Sequence, residues 1–157
     1  MPNTTKPTSK YFATRTIHLI LTIAVMLFIF VHSAMPGHVS GAESDFFVRF
    51  ISGLTGVEEE SLSFIVRKAA HFTEFMLLGI CLALNVTDVL RIKGKSISLP
   101  SAWLIPWLMG TAYAVTDEIH QFFVPERACA VTDMLIDSAG VAAGACILIL
   151  INKARRK

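Results

Sequence analysis

Charge is scarce in this sequence. Of 157 residues, 17% are charged and 54% are hydrophobic. Soluble domains carry roughly a quarter charged residues. A chain of this length cannot bury so much apolar surface in water, so a soluble domain is rejected and an integral membrane protein is expected. Cysteine is scarce too: Cys81, Cys129 and Cys146 have no framework or metal-like spacing, which excludes a disulfide scaffold. Cys81 and Cys146 lie in apolar runs and behave there as small hydrophobes. Cys129 reads as a bystander, because its nearest activating base, His120, is nine residues away. The HExxH zinc motif is missing, and so is the inverted repeat that marks many transporters. No nucleic-acid partner is expected.

What is present is a set of long apolar runs. A helix crossing the hydrocarbon needs about 20 residues. Four such spans are expected, at about 16–35, 68–87, 101–120 and 132–151, forming one all-α membrane domain over 1–157. Ser40-Gly41-Ala42 resembles a signal-peptide cleavage site. It lies far past the first apolar run and beyond Pro36, so that run reads as a retained span. Residues 36–60 form a polar linker. Within it Phe46, Phe47, Phe50 and Ile51 suggest a short amphipathic segment on the membrane surface. Pro106 lies inside the third span and is expected to bend it.

Lys and Arg are unevenly placed. The N-terminal segment holds Lys6, Lys10 and Arg15, and the 88–99 loop holds Arg91, Lys93 and Lys95. With four more in the C-terminal tail, these account for ten of the 14. The positive-inside rule then puts both termini and that loop in the cytoplasm. Of the 12 acidic residues only Asp88 falls on that side.

The apolar run Phe75–Val86 measures only about 18 Å, too short to span. Counting about 20 residues back from Thr87 draws Lys68, His71 and Glu74 into the outer half of the second span. The same count puts Asp117, Glu118 and His120 in the outer part of the third span, and Asp133 and Asp137 in the fourth. Three counts converge on one depth. Helical periodicity agrees: Arg67, His71 and Glu74 share a face, as do Asp117, His120 and Gln121, and Asp133 and Asp137 with Gly140 and Gly144. A charge at mid-bilayer costs roughly 2.5–3.5 kcal/mol on insertion scales. These groups therefore face one another or a wet cavity.

Arg67, Lys68 and Arg127 oppose Glu74, Asp117, Glu118, Asp133 and Asp137, a surplus of negative charge. Protonated carboxylates remedy it and suit general acid–base work or proton relay. A bound divalent metal is the other remedy, because His, Asp and Glu are its ligand types. No ligand spacing is diagnostic, so the metal stays unidentified. Asp117, Glu118, His120, His71 and Glu74 are the catalytic candidates. Lys68, Arg67, Arg127 and Gln121 are candidates for holding an anionic head group, with Asp133 and Asp137 supporting them. A purely structural ion-paired plug is the bland alternative. His32 and Ser33 fall at the same depth and are expected mainly to bond between helices; His18, at the cytoplasmic edge, has no assigned role. Trp103 and Trp107 are expected to anchor an interface or pack between helices.

Arg67-Lys-Ala-Ala-His71-Phe-Thr-Glu74-Phe75, then Asp117-Glu118-Ile-His120-Gln121, Pro125 and Arg127, then Asp133 and Gly140 with Gly144, resemble the VanZ-like family of bacterial membrane proteins. Members look like KxxHFxEYxxLG, DExHQxFxPGR and DxxxNxxGxxxG in this order. Phe75 stands where Tyr is usual, Glu126 where Gly is usual, and Asp137 where Asn is usual. The family is named after an accessory protein of resistance to glycopeptides, especially teicoplanin. The resemblance implies an envelope role at the outer face of the bacterial plasma membrane. An outward-facing, membrane-level site with acids, histidines and arginines suits an amphiphile with an anionic head, so membrane lipids or a lipid-linked cell-wall precursor are the expected partner. The resemblance does not supply a reaction, and whether the chain is an enzyme stays open. The alternative is a non-enzymatic small transporter, ion site or lipid-binding scaffold.

Overall fold

The computed structural model describes residues 9–95 and 97–155, without the side chains of residues 9, 10, 40–44, 46 and 99. Lys6, Arg156 and Lys157, and the side chains of Lys10 and Phe46, which enter the orientation and surface-segment readings, lie outside what is described. Five helices follow in order: α1 (Ser9–Ser33), α2 (Gly37–Thr55), α3 (Glu59–Ile92), α4 (Leu99–Gln121) and α5 (Val131–Ala154). No strand occurs among the described residues.

The ends of these helices follow from local chemistry. Ser98 and Ser101 form a reciprocal capping box at the start of α4, with Pro100 in its first turn. Gly94 ends α3 at φ 62°, and the next amide, Lys95 N–H, donates back to Leu90 O at 2.9 Å. Gly56 closes α2 in the same left-handed conformation, φ 70°. The linker expected to hold a short surface segment instead carries a helix of 19 residues.

Within α1, α3 and α5 are stretches long and apolar enough to cross a membrane: Tyr11–Ser33, Glu59–Ile92 and Val131–Ala154. The chain is accordingly a multi-pass membrane protein. α4 has the length, but among the described helices it is not one of these three.

α1 and α4 run in one sense and α3 and α5 in the other. Tyr113 O–H on α4 donates to Met26 O on α1 at 2.7 Å. Trp107 Nε1–H donates to Ser138 Oγ on α5 at 3.0 Å, and Trp103 Nε1–H to Ala142 O at 3.3 Å. The two tryptophans therefore pack between helices. α3 and α5 lie parallel and very close. A Cβ on Gly140 would meet Phe72 O at 2.5 Å, and one on Gly144 would collide with Met76 O. Small residues permit this approach, which in lipid has to replace hydrophobic drive between helices. An apolar core of Ile29, Phe75, Leu78, Leu82, Ala114 and Val141 fills the middle of the bundle. Its outer face is apolar as well: Ile17, Ile20, Leu27, Phe28 and Val31 of α1 are exposed. The fully buried side chains, by contrast, include Glu118 and Asp137.

Gly144→Ala is expected to destabilise the detergent-solubilised protein by about 1–3 kcal/mol, because the clash is with backbone and cannot be relieved by a rotamer change. Gly53→Ala, with nothing within 4 Å of the added Cβ, should be neutral or stabilising. Thermal unfolding of both variants checks this; equal melting temperatures would refute the close packing of α3 on α5.

Candidate functional site

The end of the bundle where α1 and α4 finish and α3 and α5 begin carries the polar cluster. α4 ends in Asp117, Glu118, His120 and Gln121, one turn of helix that projects side chains toward three neighbours. Asp117 Oδ2 accepts from Ser33 Oγ–H of α1 at 2.8 Å and from Gln121 Nε2–H at 2.8 Å. Glu118 Oε2 accepts from the Ala130 amide at 2.9 Å, one residue before α5. This bond ties the end of α4 to the start of α5.

α3 supplies Lys68, His71 and Glu74 on one face. The Lys68 ammonium pairs closely with Asp133 of α5. His71 Nδ1 lies 3.7 Å from Asp137 Oδ1, too far for a hydrogen bond. Glu74 Oε1 meets His32 Nδ1 of α1 at 2.7 Å. The His32 and His71 rings stack with centroids 6.4 Å apart. Arg127 follows in the α4–α5 loop. Its Nε–H donates to Met35 O at 3.2 Å, leaving the fork of the guanidinium for other partners.

Glu74, His71, Lys68, Asp117, Glu118, Gln121, Arg127, Asp133 and Asp137 are thus drawn toward one end. His120 is placed differently: its ring stacks on Phe30 at 4.4 Å. Arg67 is half-buried beside the cluster. Eight buried side-chain polar atoms lack a hydrogen-bond partner among the described residues. Seven belong to this group, on His71, Glu74, Asp117, Glu118, Arg127 and both oxygens of Asp137, and the eighth is His120 Nδ1. Each orphaned buried group costs about 1–3 kcal/mol, and more when charged. Among the described residues His71, Asp117 and Asp137 bring donor atoms close enough together to hold an ion, all within 4.8 Å of one another.

The profile of the VanZ/LLP1 family matches residues 18–152, most of the chain. The chain belongs to the VanZ/LLP1 family. No curated relative and no solved structure matches it.

In this VanZ/LLP1 member Ser33 and His32 are integral to the cluster, contacting Asp117 and Glu74 directly. Their depth in the first span was the signal for that. A pairing with no signal in the local pattern lies at the opposite end. There His18 Nδ1 meets Asp88 Oδ2 at 2.6 Å, and Asn85 donates to Thr22 Oγ1 at 2.7 Å. Asp88 is buried, and it borders a cavity of about 250 Å³ shared with Arg91 and Asn152.

The loop departure at Glu126 also has a structural consequence. Glu126 sits at φ 60°, a conformation that costs a non-glycine residue about 1–2 kcal/mol. Its exposed carboxylate is held below its usual range by hydrogen bonds from the His38 ring, at 3.0 Å, and the His38 amide, at 2.9 Å. With Gly37 N–H donating to Pro125 O at 3.3 Å, these bonds dock the start of α2 on the loop. The folded-state carboxyl titrates below the unfolded one. The stabilisation is therefore present above pH of about 4 and lost on acidification through the lower folded value. Protection of the His38 amide from hydrogen exchange, taken relative to its intrinsic rate at each pH, should fall between pH 5 and pH 3, and Glu126→Gln should remove that pH dependence; a flat wild-type protection profile would contradict the docking.

Proposed function

We propose that this chain is a four-span protein of the bacterial plasma membrane with both termini in the cytoplasm. In this reading its polar end faces outward and binds or modifies a lipid-linked envelope component. Membership of the VanZ/LLP1 family supports a cell-envelope role connected with glycopeptide resistance, teicoplanin in particular. The asymmetry of Lys and Arg supports the orientation. α4 completes the bundle as the fourth span, its less apolar composition offset by burial of its polar side chains against α1, α3 and α5.

The observation that carries this reading is the mismatch inside the cluster. An ion-paired plug would leave its members satisfied. Here Lys68 is committed to Asp133, yet Glu74, Asp117, Glu118, Asp137 and Arg127 keep buried atoms without partners. A half-satisfied buried network is poor for stability and suits a site that completes itself on a ligand. The Arg127 guanidinium, held at Nε, offers its fork to a phosphate oxygen pair. Glu118, next to it in the loop junction, is the base, and Asp117 is kept in place by Ser33 and Gln121. His71 and His32, stacked and each close to a carboxylate, are positioned to pass protons.

Binding of a polyprenyl phosphate to the detergent-solubilised protein, followed by native mass spectrometry, tests this. Arg127→Gln should weaken binding at least tenfold, about 1.4 kcal/mol. Glu118→Gln should bind normally, because the amide oxygen still accepts from Ala130, yet fail to restore teicoplanin tolerance to a strain lacking the chain. Undiminished binding by Arg127→Gln, or full tolerance with Glu118→Gln, sinks the assignment.

A further inference from the structure

We propose that His71, Asp117 and Asp137 form a site for one transition-metal dication of the zinc or manganese kind, between α3, α4 and α5. One donor atom from each residue lies within 4.8 Å of those of the other two. The three residues are 8%, 3% and 0% exposed. Each also presents an atom that nothing among the described residues bonds: His71 Nδ1, Asp117 Oδ1 and both oxygens of Asp137. Proximity alone is common among acidic groups. Asp137 makes this case different, since it is wholly buried and neither of its oxygens has a hydrogen-bond partner.

Among the described residues no lysine or arginine nearby is paired with Asp117 or Asp137. Lys68 pairs with Asp133, and the Arg127 Nε–H is bound to Met35 O. A dication neutralises the two carboxylates, so the centre carries no net charge in a low-dielectric setting. One imidazole nitrogen with two carboxylates favours a borderline first-row ion over calcium or magnesium, which prefer all-oxygen shells. Ligand atoms about 2.0–2.2 Å from zinc lie about 3–3.5 Å apart, so the widest separation here closes by roughly 1.5 Å of side-chain rotation. The second oxygen of Asp117 is held by Ser33 and Gln121, the outer contact that usually orients a metal-bound carboxylate. Asp137 replaces the asparagine that resemblance to the VanZ-like pattern leads one to expect, and it supplies the second negative charge. Three protein ligands leave coordination positions open to a ligand oxygen. Only that use rests on the lipid reading above; the ion site itself does not.

The test uses the full chain, purified in detergent without chelator, with metal content read by inductively coupled plasma mass spectrometry. About one zinc or manganese per chain is expected in the wild type. After chelator treatment, adding zinc or manganese chloride should raise the melting temperature and magnesium chloride should not. Asp137→Asn is isosteric, and it should lower metal affinity at least tenfold while the elution volume and circular dichroism stay unchanged. His71→Asn should do the same, which keeps the test decisive if either variant misfolds. Cys129→Ser, which removes an exposed thiol, should keep its metal. A folded wild type that holds no metal and gains no thermal stability from either ion overturns the proposal. So does metal retained at wild-type affinity by both ligand variants, which would mark adventitious binding. Polyprenyl phosphate binding measured on the same samples separates the two readings. Binding without metal defeats the ion site alone, and metal without lipid binding defeats the lipid reading alone.

Discussion

Gly140 and Gly144 set the distance between α3 and α5, and the acidic groups of α5 depend on that distance. With the α5 backbone almost touching the carbonyls of Phe72 and Met76, Asp133 reaches Lys68 and Asp137 comes beside His71. A larger residue at either glycine would push the helices apart by a side chain's width. The basic face of α3 would then be separated from the acidic face of α5. In lipid, where apolar surface gains little by meeting apolar surface, this backbone contact is a main source of cohesion.

The rest of the polar end is built on that pair. α4 leans its last turn against it, and its two acids divide the work. Asp117 points to α1, bonded by Ser33, while Glu118 holds the entry to α5 through the Ala130 amide. Further along, Tyr113, Trp107 and Trp103 fasten α4 to α1 and α5 through polar tips on apolar bodies. The molecule is therefore inverted relative to a soluble domain. Its outward face is apolar, and fully buried carboxylates sit at one end of an otherwise hydrocarbon interior.

Chemistry and architecture also meet in the α4–α5 loop. Glu126 occupies a left-handed position suited to glycine, and its carboxylate is taken up by His38. The loop is thereby bonded to the start of α2, and Arg127 is anchored next to it on Met35 O. The start of α2, a strained loop position and a half-buried arginine are mechanically connected over a few residues.

The apolar runs, the separation of basic from acidic residues and the gathering of Lys68, His71, Glu74, Asp117, Glu118, Asp133 and Asp137 toward one end of the bundle were all readable in the sequence. Hydrocarbon thickness and helical rise turn residue counts directly into depth. The motif of small residues on α5 was readable for the same reason, since it follows from helical period. Rotation of each helix about its own axis was not readable from local pattern. That rotation decided that Ser33 bonds Asp117, that His32 meets Glu74, and that His120 turns to stack on Phe30. It also decided that His71, Asp117 and Asp137, spread over three helices, come within reach of one ion. The pairing of His18 with Asp88, 70 residues apart, belongs to the same class. Depth is a property of one helix in a bilayer and is written in its length. Lateral contact is a property of helices packed together, and only their mutual packing selects it.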